Sequence, residues 1–106
     1  HYMDEAQRLC DHVIIIDRGI ILDLGTPDDL ILRHAGRMVV EVNKPHDVKK
    51  FQGQWVAEDT GDTVLYFLET PKSLLDNFPS GVKYKQRMAD LEDVFFRLTG
   101  RQLREN

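Results

Sequence analysis

The sequence predicts an α+β protein in two pieces: a helix, hairpin and helix over residues 1–33, then a βαββαβ unit with a terminal helix over residues 34–106. Three observations carry this expectation. Val13-Ile14-Ile15-Ile16 is an unbroken apolar run, followed by the turn signal Asp17-Arg18-Gly19 and a second apolar run at 20–24. From Arg37 onward apolar residues alternate in four blocks, with helical spacing after the first block and after the third. Charge divides the chain as well. Residues 1–33 hold Arg8, Arg18 and Arg33 against Asp4, Glu5, Asp11, Asp17, Asp23, Asp28 and Asp29, whereas residues 34–106 hold 11 of each sign. The joint is expected at His34-Ala35-Gly36.

In the first piece, Met3, Ala6, Leu9 and Cys10 fall on one helical face, and Asp4 and Glu5 suit the positive N-terminal end of that helix. The run at 13–16 has no polar alternation, and such a strand is normally buried on both faces. Gly25 closes the second strand. Thr26 is a good N-cap and Pro27 suits the first helical position. One short helix on each side cannot cover a Val-Ile-Ile-Ile strand, and each large aliphatic left in water forgoes roughly 1.5 to 3 kcal/mol. This segment is therefore expected to be incomplete alone, with more of the same chain or a second copy covering residues 13–24.

The second piece reads as a whole. Met38, Val40 and Val42 share a strand face that ends at Asn43-Lys44-Pro45, and a helix around 47–52 would bury Val48 and Phe51. Strands at 55–59 and 63–69 flank the turn Thr60-Gly61-Asp62, with Val64, Tyr66 and Leu68 facing one way and Leu65 and Phe67 the other. Thr70-Pro71 opens a helix that buries Leu74, Leu75 and Phe78, and Pro79-Ser80-Gly81 stops it. Residues 82–87 alternate Val82 and Tyr84 with Lys83, Lys85 and Arg87, as an edge strand should. Asp90 caps a last helix carrying Leu91, Val94, Phe95 and Leu98 on one face, with Gly100 at its end. The order is the split βαβ, ferredoxin-like arrangement, and the terminal helix is the candidate to cover the sheet's second face.

Composition excludes several classes. A chain of 106 residues, 42% hydrophobic and 30% charged, is too apolar for wholesale disorder. Its net charge of -4 argues against a dedicated nucleic-acid binder. A lone Cys10 allows no intrachain disulfide framework and fits a reducing compartment. No apolar run approaches the roughly 20 residues of a membrane-spanning helix.

Several short strings in the first piece carry a family resemblance. His1-Tyr2-Met3-Asp4-Glu5-Ala6, Leu9-Cys10-Asp11, Ile16-Asp17-Arg18-Gly19 and Gly25-Thr26-Pro27-Asp28-Asp29-Leu30 together resemble the end of an ABC transporter nucleotide-binding domain. That segment begins at the switch histidine following the Walker B strand. The family usually has Glu where this chain has Gln7, and Arg where it has His12. The closing string 91–101, Leu-Glu-Asp-Val-Phe-Phe-Arg-Leu-Thr-Gly-Arg, is similar to the tail of the accessory C-terminal domain in bacterial ABC-2-type exporter ATPases.

The resemblance implies that residues 1–33 are the C-terminal end of a P-loop ATPase domain and 34–106 an accessory domain. It implies that His1 is the switch histidine, which senses the γ-phosphate through an imidazole able to donate and accept at once. The parent subunit is then expected to bind ATP and Mg²⁺, dimerise, dock on transmembrane permease subunits, and lie in the cytoplasm at the inner face of the cell membrane. The chain contains no G-x-x-x-x-G-K-[ST] loop, no Ser-Gly-Gly signature and no hydrophobic run ending in Asp-Glu, so alone it is not expected to hydrolyse ATP or hold a cofactor. The accessory part is expected to serve dimerisation or regulation. A free-standing ligand-sensing regulatory domain is the alternative.

Other residues read as structural. Glu92, Asp93 and Arg97 are expected to be helix-surface pairs near a cap. Cys10, on an apolar helix face, is expected to be a buried, inert thiol. His12, His34 and His46 lack metal-ligand spacing, and Trp55 and the phenylalanines read as packing. Lys83-Tyr84-Lys85-Gln86-Arg87 is a basic stripe for which a partner subunit or anionic headgroups are favoured over RNA, though an exposed edge strand guarded by lysines needs neither.

Overall fold

A computed structural model describes residues 2–51 and 53–101. In chain order its elements are α1 (Tyr2–Leu9), β1 (Val13–Asp17), β2 (Ile20–Gly25), α2 (Pro27–Ala35), β3 (Met38–Asn43), a 3-10 helix (Val48–Lys50), β4 (Val56–Asp59), β5 (Thr63–Leu68), α3 (Lys72–Leu75), β6 (Tyr84–Met88) and α4 (Leu91–Thr99). The elements are mixed α and β, with two antiparallel sheets. They form two compact units, one of residues up to Ala35 together with those from Ala89 onward, the other of Gly36–Met88.

In the first unit the hairpin turns through Arg18 and Gly19 at φ 52° and 77°. Two successive positive φ angles match the twist of the flanking strands, which is what a tight two-residue hairpin requires. Thr26 caps α2 as expected, its Oγ1 accepting from Asp29 N at 3.1 Å. The start of α4 is a reciprocal capping box: Asp90 Oδ1 accepts from Asp93 N, and Asp93 Oδ2 accepts from Asp90 N. Gly100 ends the helix in the left-handed conformation, its N–H donating to the Phe96 carbonyl at 2.7 Å. Helix α4 packs against α2 and α1. Its Leu91 and Val94 are fully buried, as are Leu30 and Ala35 of α2.

The second unit is a four-stranded sheet in the order β4-β5-β3-β6, with every neighbouring pair antiparallel. Val40, Val42, Val64, Tyr66 and Leu68 form one buried face, covered by Phe51 and Leu74 and flanked by Val48, Trp55, Leu75 and Phe78. The alternation read from the sequence is realised here. Val39, Leu65 and Phe67, on the opposite face, are buried too. Two local expectations are corrected. Where a helix is expected around 47–52, Val48–Lys50 make a single 3-10 turn, started by Asp47 Oδ1 accepting from Lys49 N, and that turn suffices to bring Phe51 onto the sheet; Gln52 lies outside the described residues. Thr70 does not cap α3: its N-cap residue is Pro71, without a side-chain cap bond, and a four-residue helix starts one position late.

Candidate functional site

The hairpin of the first unit carries the most unusual surface. Ile14 pairs with Leu24 and Ile16 with Ile21, and the register shifts between Ile15 and Ile16, leaving Leu22 unopposed. This bulge places Ile21 and Leu24 on the same side although they are three residues apart. Ile14, Ile16, Ile21 and Leu24 thus form one continuous aliphatic face, and each is 54–58% exposed. Ile20, beside the turn, is 64% exposed. Only Ile15, pointing the other way, is buried. Completing the burial of the four-residue face would contribute about 3–6 kcal/mol. Four half-exposed aliphatic side chains side by side on a strand pair make a contiguous apolar patch, the kind of surface that marks a site of contact.

The rim of this hairpin is held by polar contacts. Asp23 Oδ2 lies 2.6 Å from Arg33 Nη1 and 2.5 Å from His34 Nε2, and its Oδ1 accepts from Leu24 N at 2.8 Å. The bond from His34, then that from Arg33, holds the Asp23 carboxyl well below the usual carboxylate range. An ionised Asp23 can only accept, so His34 Nε2 carries the proton. Asp17 at the other end of β1 pairs with Arg101, whose bond likewise lowers the Asp17 carboxyl. The Arg101 guanidinium also lies 5.8 Å from the Phe95 ring centre. These ion pairs tie β1 and β2 to the flanking helical segments from the side opposite the aliphatic face.

The residues singled out in the sequence are placed as follows. His1 lies outside the described residues. Cys10 is exposed, which corrects the expectation of a buried thiol: α1 ends at Leu9, and Leu9 is itself 77% exposed, so that face does not turn inward. Gln7, the departure from the usual family residue, uses its Oε1 to accept from Leu91 N at the start of α4, 3.1 Å away. Asp93 is buried in the capping box and Arg97 Nε donates to the His34 carbonyl at 3.2 Å, so these two tie α4 to its cap and to α2.

His46 belongs to an aromatic cluster in the second unit. It stacks on Phe51 at 5.4 Å, meets Tyr66 and Phe78 edge-on, and places Nε2 2.6 Å from Tyr66 Oη. Burial lowers the His46 imidazole and pushes the Tyr66 hydroxyl up to about 12. The sequence had no signal for this pair, since the two residues are 20 apart and meet only through the fold. Among the described residues no group of three or more His, Cys, Asp or Glu is placed to hold a metal ion, and no helix is long and apolar enough to cross a membrane.

Residues 47–100 match the family model described as "Nodulation factor export protein NodI, C-terminal domain". The chain belongs to this family. Similarity to individual relatives extends through the hairpin. The chain is 40% identical over 111 residues to the Nod factor export ATP-binding protein I of Cupriavidus pinatubonensis, covering 99% of this chain and 34% of that protein. It is 38% identical over 112 residues to the protein of the same name in Cupriavidus metallidurans, covering 99% and 37%. With the Rhizobium etli protein the figures are 34% over 109 residues, 97% and 34%. The chain spans about a third of the length of the curated relatives it matches. The matches show the resemblance to the C-terminal part of an ABC transporter ATPase that was read from residues 1–32 and 91–101.

Proposed function

We propose that this chain is the C-terminal portion of the ATP-binding subunit of an ABC-type exporter, and that the aliphatic hairpin face is an interior surface of that subunit's ATPase domain. The observation that carries the reading is the uncovered face of Ile14, Ile16, Ile21 and Leu24 in a chain that is a third as long as its relatives. In this reading the parent couples ATP hydrolysis to export, forms an ATPase dimer, docks on membrane-spanning permease subunits, and sits peripherally at the inner face of the cell membrane. Residues 1–33 finish the ATPase domain, with His1 as its switch histidine.

The described residues include no phosphate-binding loop and no metal-holding cluster, so they do not themselves fit ATP or Mg²⁺. In this reading other segments of the parent hold ATP and Mg²⁺, and His1 would approach the γ-phosphate from this chain.

Residues 34–106 are proposed to be an accessory domain that stabilises or regulates the ATPase dimer. The strand order β4-β5-β3-β6 supports a ferredoxin-like sheet: β5 lies between β3 and β4, and β3 lies between β5 and β6, as in two interleaved crossovers. A buried aromatic core supports a structural rather than a catalytic role. Reading the coding sequence immediately upstream of His1 tests the proposal. An open frame encoding a phosphate-binding loop, a Ser-Gly-Gly signature and a strand ending in Asp-Glu is expected. A start codon at that point would overturn it.

A further inference from the structure

We infer that β6 is a docking edge for an extended acidic segment of a partner protein, which would join the sheet as a fifth strand. The inference stands on the second unit alone and does not depend on the exporter reading. Strand β6 is the last in the order β4-β5-β3-β6, so one of its sides has no neighbour in the sheet. Asn43 N donates to the Lys83 carbonyl, and the register places Glu41 opposite Lys85 and Val39 opposite Arg87. Antiparallel pairing alternates, so the backbone groups of residues 83, 85 and 87 turn toward β3 and those of Tyr84 and Gln86 turn outward. Their N–H and C=O groups are a ready template for another strand.

The side chains decide which strand fits. Lys83 and Lys85 are exposed, and neither has an ion-pair partner among the described residues. Strand alternation puts Lys83, Lys85 and Arg87 on one face, where Arg87 already pairs with Glu41 at 2.8 Å. On the other face Tyr84 is 42% and Met88 75% exposed, and Tyr84 packs edge-on against Phe78 at 5.7 Å. The edge therefore offers cations on one face and, on the other, Tyr84 and Met88 with the exposed Gln86 between them. An incoming strand that alternates acidic with apolar residues satisfies both faces at once. A second β6 does not, because it would set lysines against lysine and arginine, so the charge that invites an acidic strand rejects self-pairing.

The test uses the 106-residue chain and a short fluorescent peptide alternating glutamate with valine. Saturable binding is expected, with slowed amide exchange at Tyr84 and Gln86. Charge reversal in K83E/K85E should weaken binding about tenfold. Gln86→Pro removes an outward donor without touching the pairing to β3, and should weaken binding about fivefold. Circular dichroism of each variant keeps a folding defect distinct from lost binding, and Lys85→Gln serves as a milder second variant. Absence of binding to the native chain would overturn the proposal. So would binding that Gln86→Pro leaves intact, or equal binding to phosphatidylglycerol vesicles regardless of Gln86→Pro, since both describe a charged patch rather than strand addition.

Discussion

Gly36 is the position where a single added methyl group has the largest calculable effect. Its φ is +67°, and an added Cβ would lie 2.8 Å from both the carbonyl carbon and the oxygen of Leu68. That carbonyl cannot move aside freely, because it accepts from Arg37 N at 2.9 Å, and Leu68 pairs with Met38 where β3 and β5 begin their ladder. In Gly36→Ala the left-handed conformation costs about 1–2 kcal/mol. Forcing a methyl into a fixed backbone contact adds about 1–3 kcal/mol. Gly53→Ala is the control: φ is +87°, but nothing lies within 4 Å of the added Cβ, so only the conformational part remains. Urea denaturation followed by Trp55 fluorescence, in the same unit, should show a loss of about 2–5 kcal/mol for Gly36→Ala and about 1–2 for Gly53→Ala. Equal losses in the two variants, or a loss below about 1 kcal/mol at Gly36, would refute the close-approach argument.

Three further outcomes follow from named contacts. Tyr66→Phe removes the hydroxyl that meets His46 Nε2, leaving a ring nitrogen without its partner, and should destabilise by about 1–3 kcal/mol in the same denaturation assay. Tyr66 is an acid whose folded value is raised from 10.0 to about 12, so its contribution is present below pH 10 and lost as pH rises toward 12; ultraviolet titration should lose one late-titrating tyrosine in the variant. Asp90→Ala breaks the capping box of α4 and should cost about 1 kcal/mol by thermal unfolding. Asp23 has a folded value below its ordinary 3.8, so its pairing with His34 and Arg33 stabilises above that pH and is lost as pH falls toward the folded value. Asp23→Asn should flatten this part of the acid limb in a pH-dependent unfolding series, and an unchanged limb would argue against the pairing.

Local signals carried much of the fold. Thr26-Pro27, Gly19 and the Asp90 cap behave as their residue chemistry requires, whereas Arg18 takes a positive φ that the turn imposes on it, and the alternation in 38–42 and 63–68 gives the correct buried face. What escaped the sequence depends on pairing at a distance. Strict alternation on 20–24 would group Ile20, Leu22 and Leu24, but the bulge opposite Ile15 and Ile16 brings Ile21 beside Leu24 instead. The Asp23–His34 and His46–Tyr66 contacts join residues 11 and 20 positions apart, so no local pattern reports them. Cys10 is exposed, against its helical spacing, for a related reason. An amphipathic spacing shows which residues share a face, not whether a neighbour is there to cover it.

The hairpin's aliphatic face, on this reading, is built to be covered. Sedimentation velocity of the native chain across a concentration series tests it directly, beside a chain carrying Ile14→Ser, Ile16→Ser, Ile21→Ser and Leu24→Ser. The native chain should self-associate as concentration rises, whereas the substituted chain, with the same circular dichroism, should remain monomeric. A native chain that stays monomeric and well folded at high concentration, sedimenting like the substituted one, would contradict it.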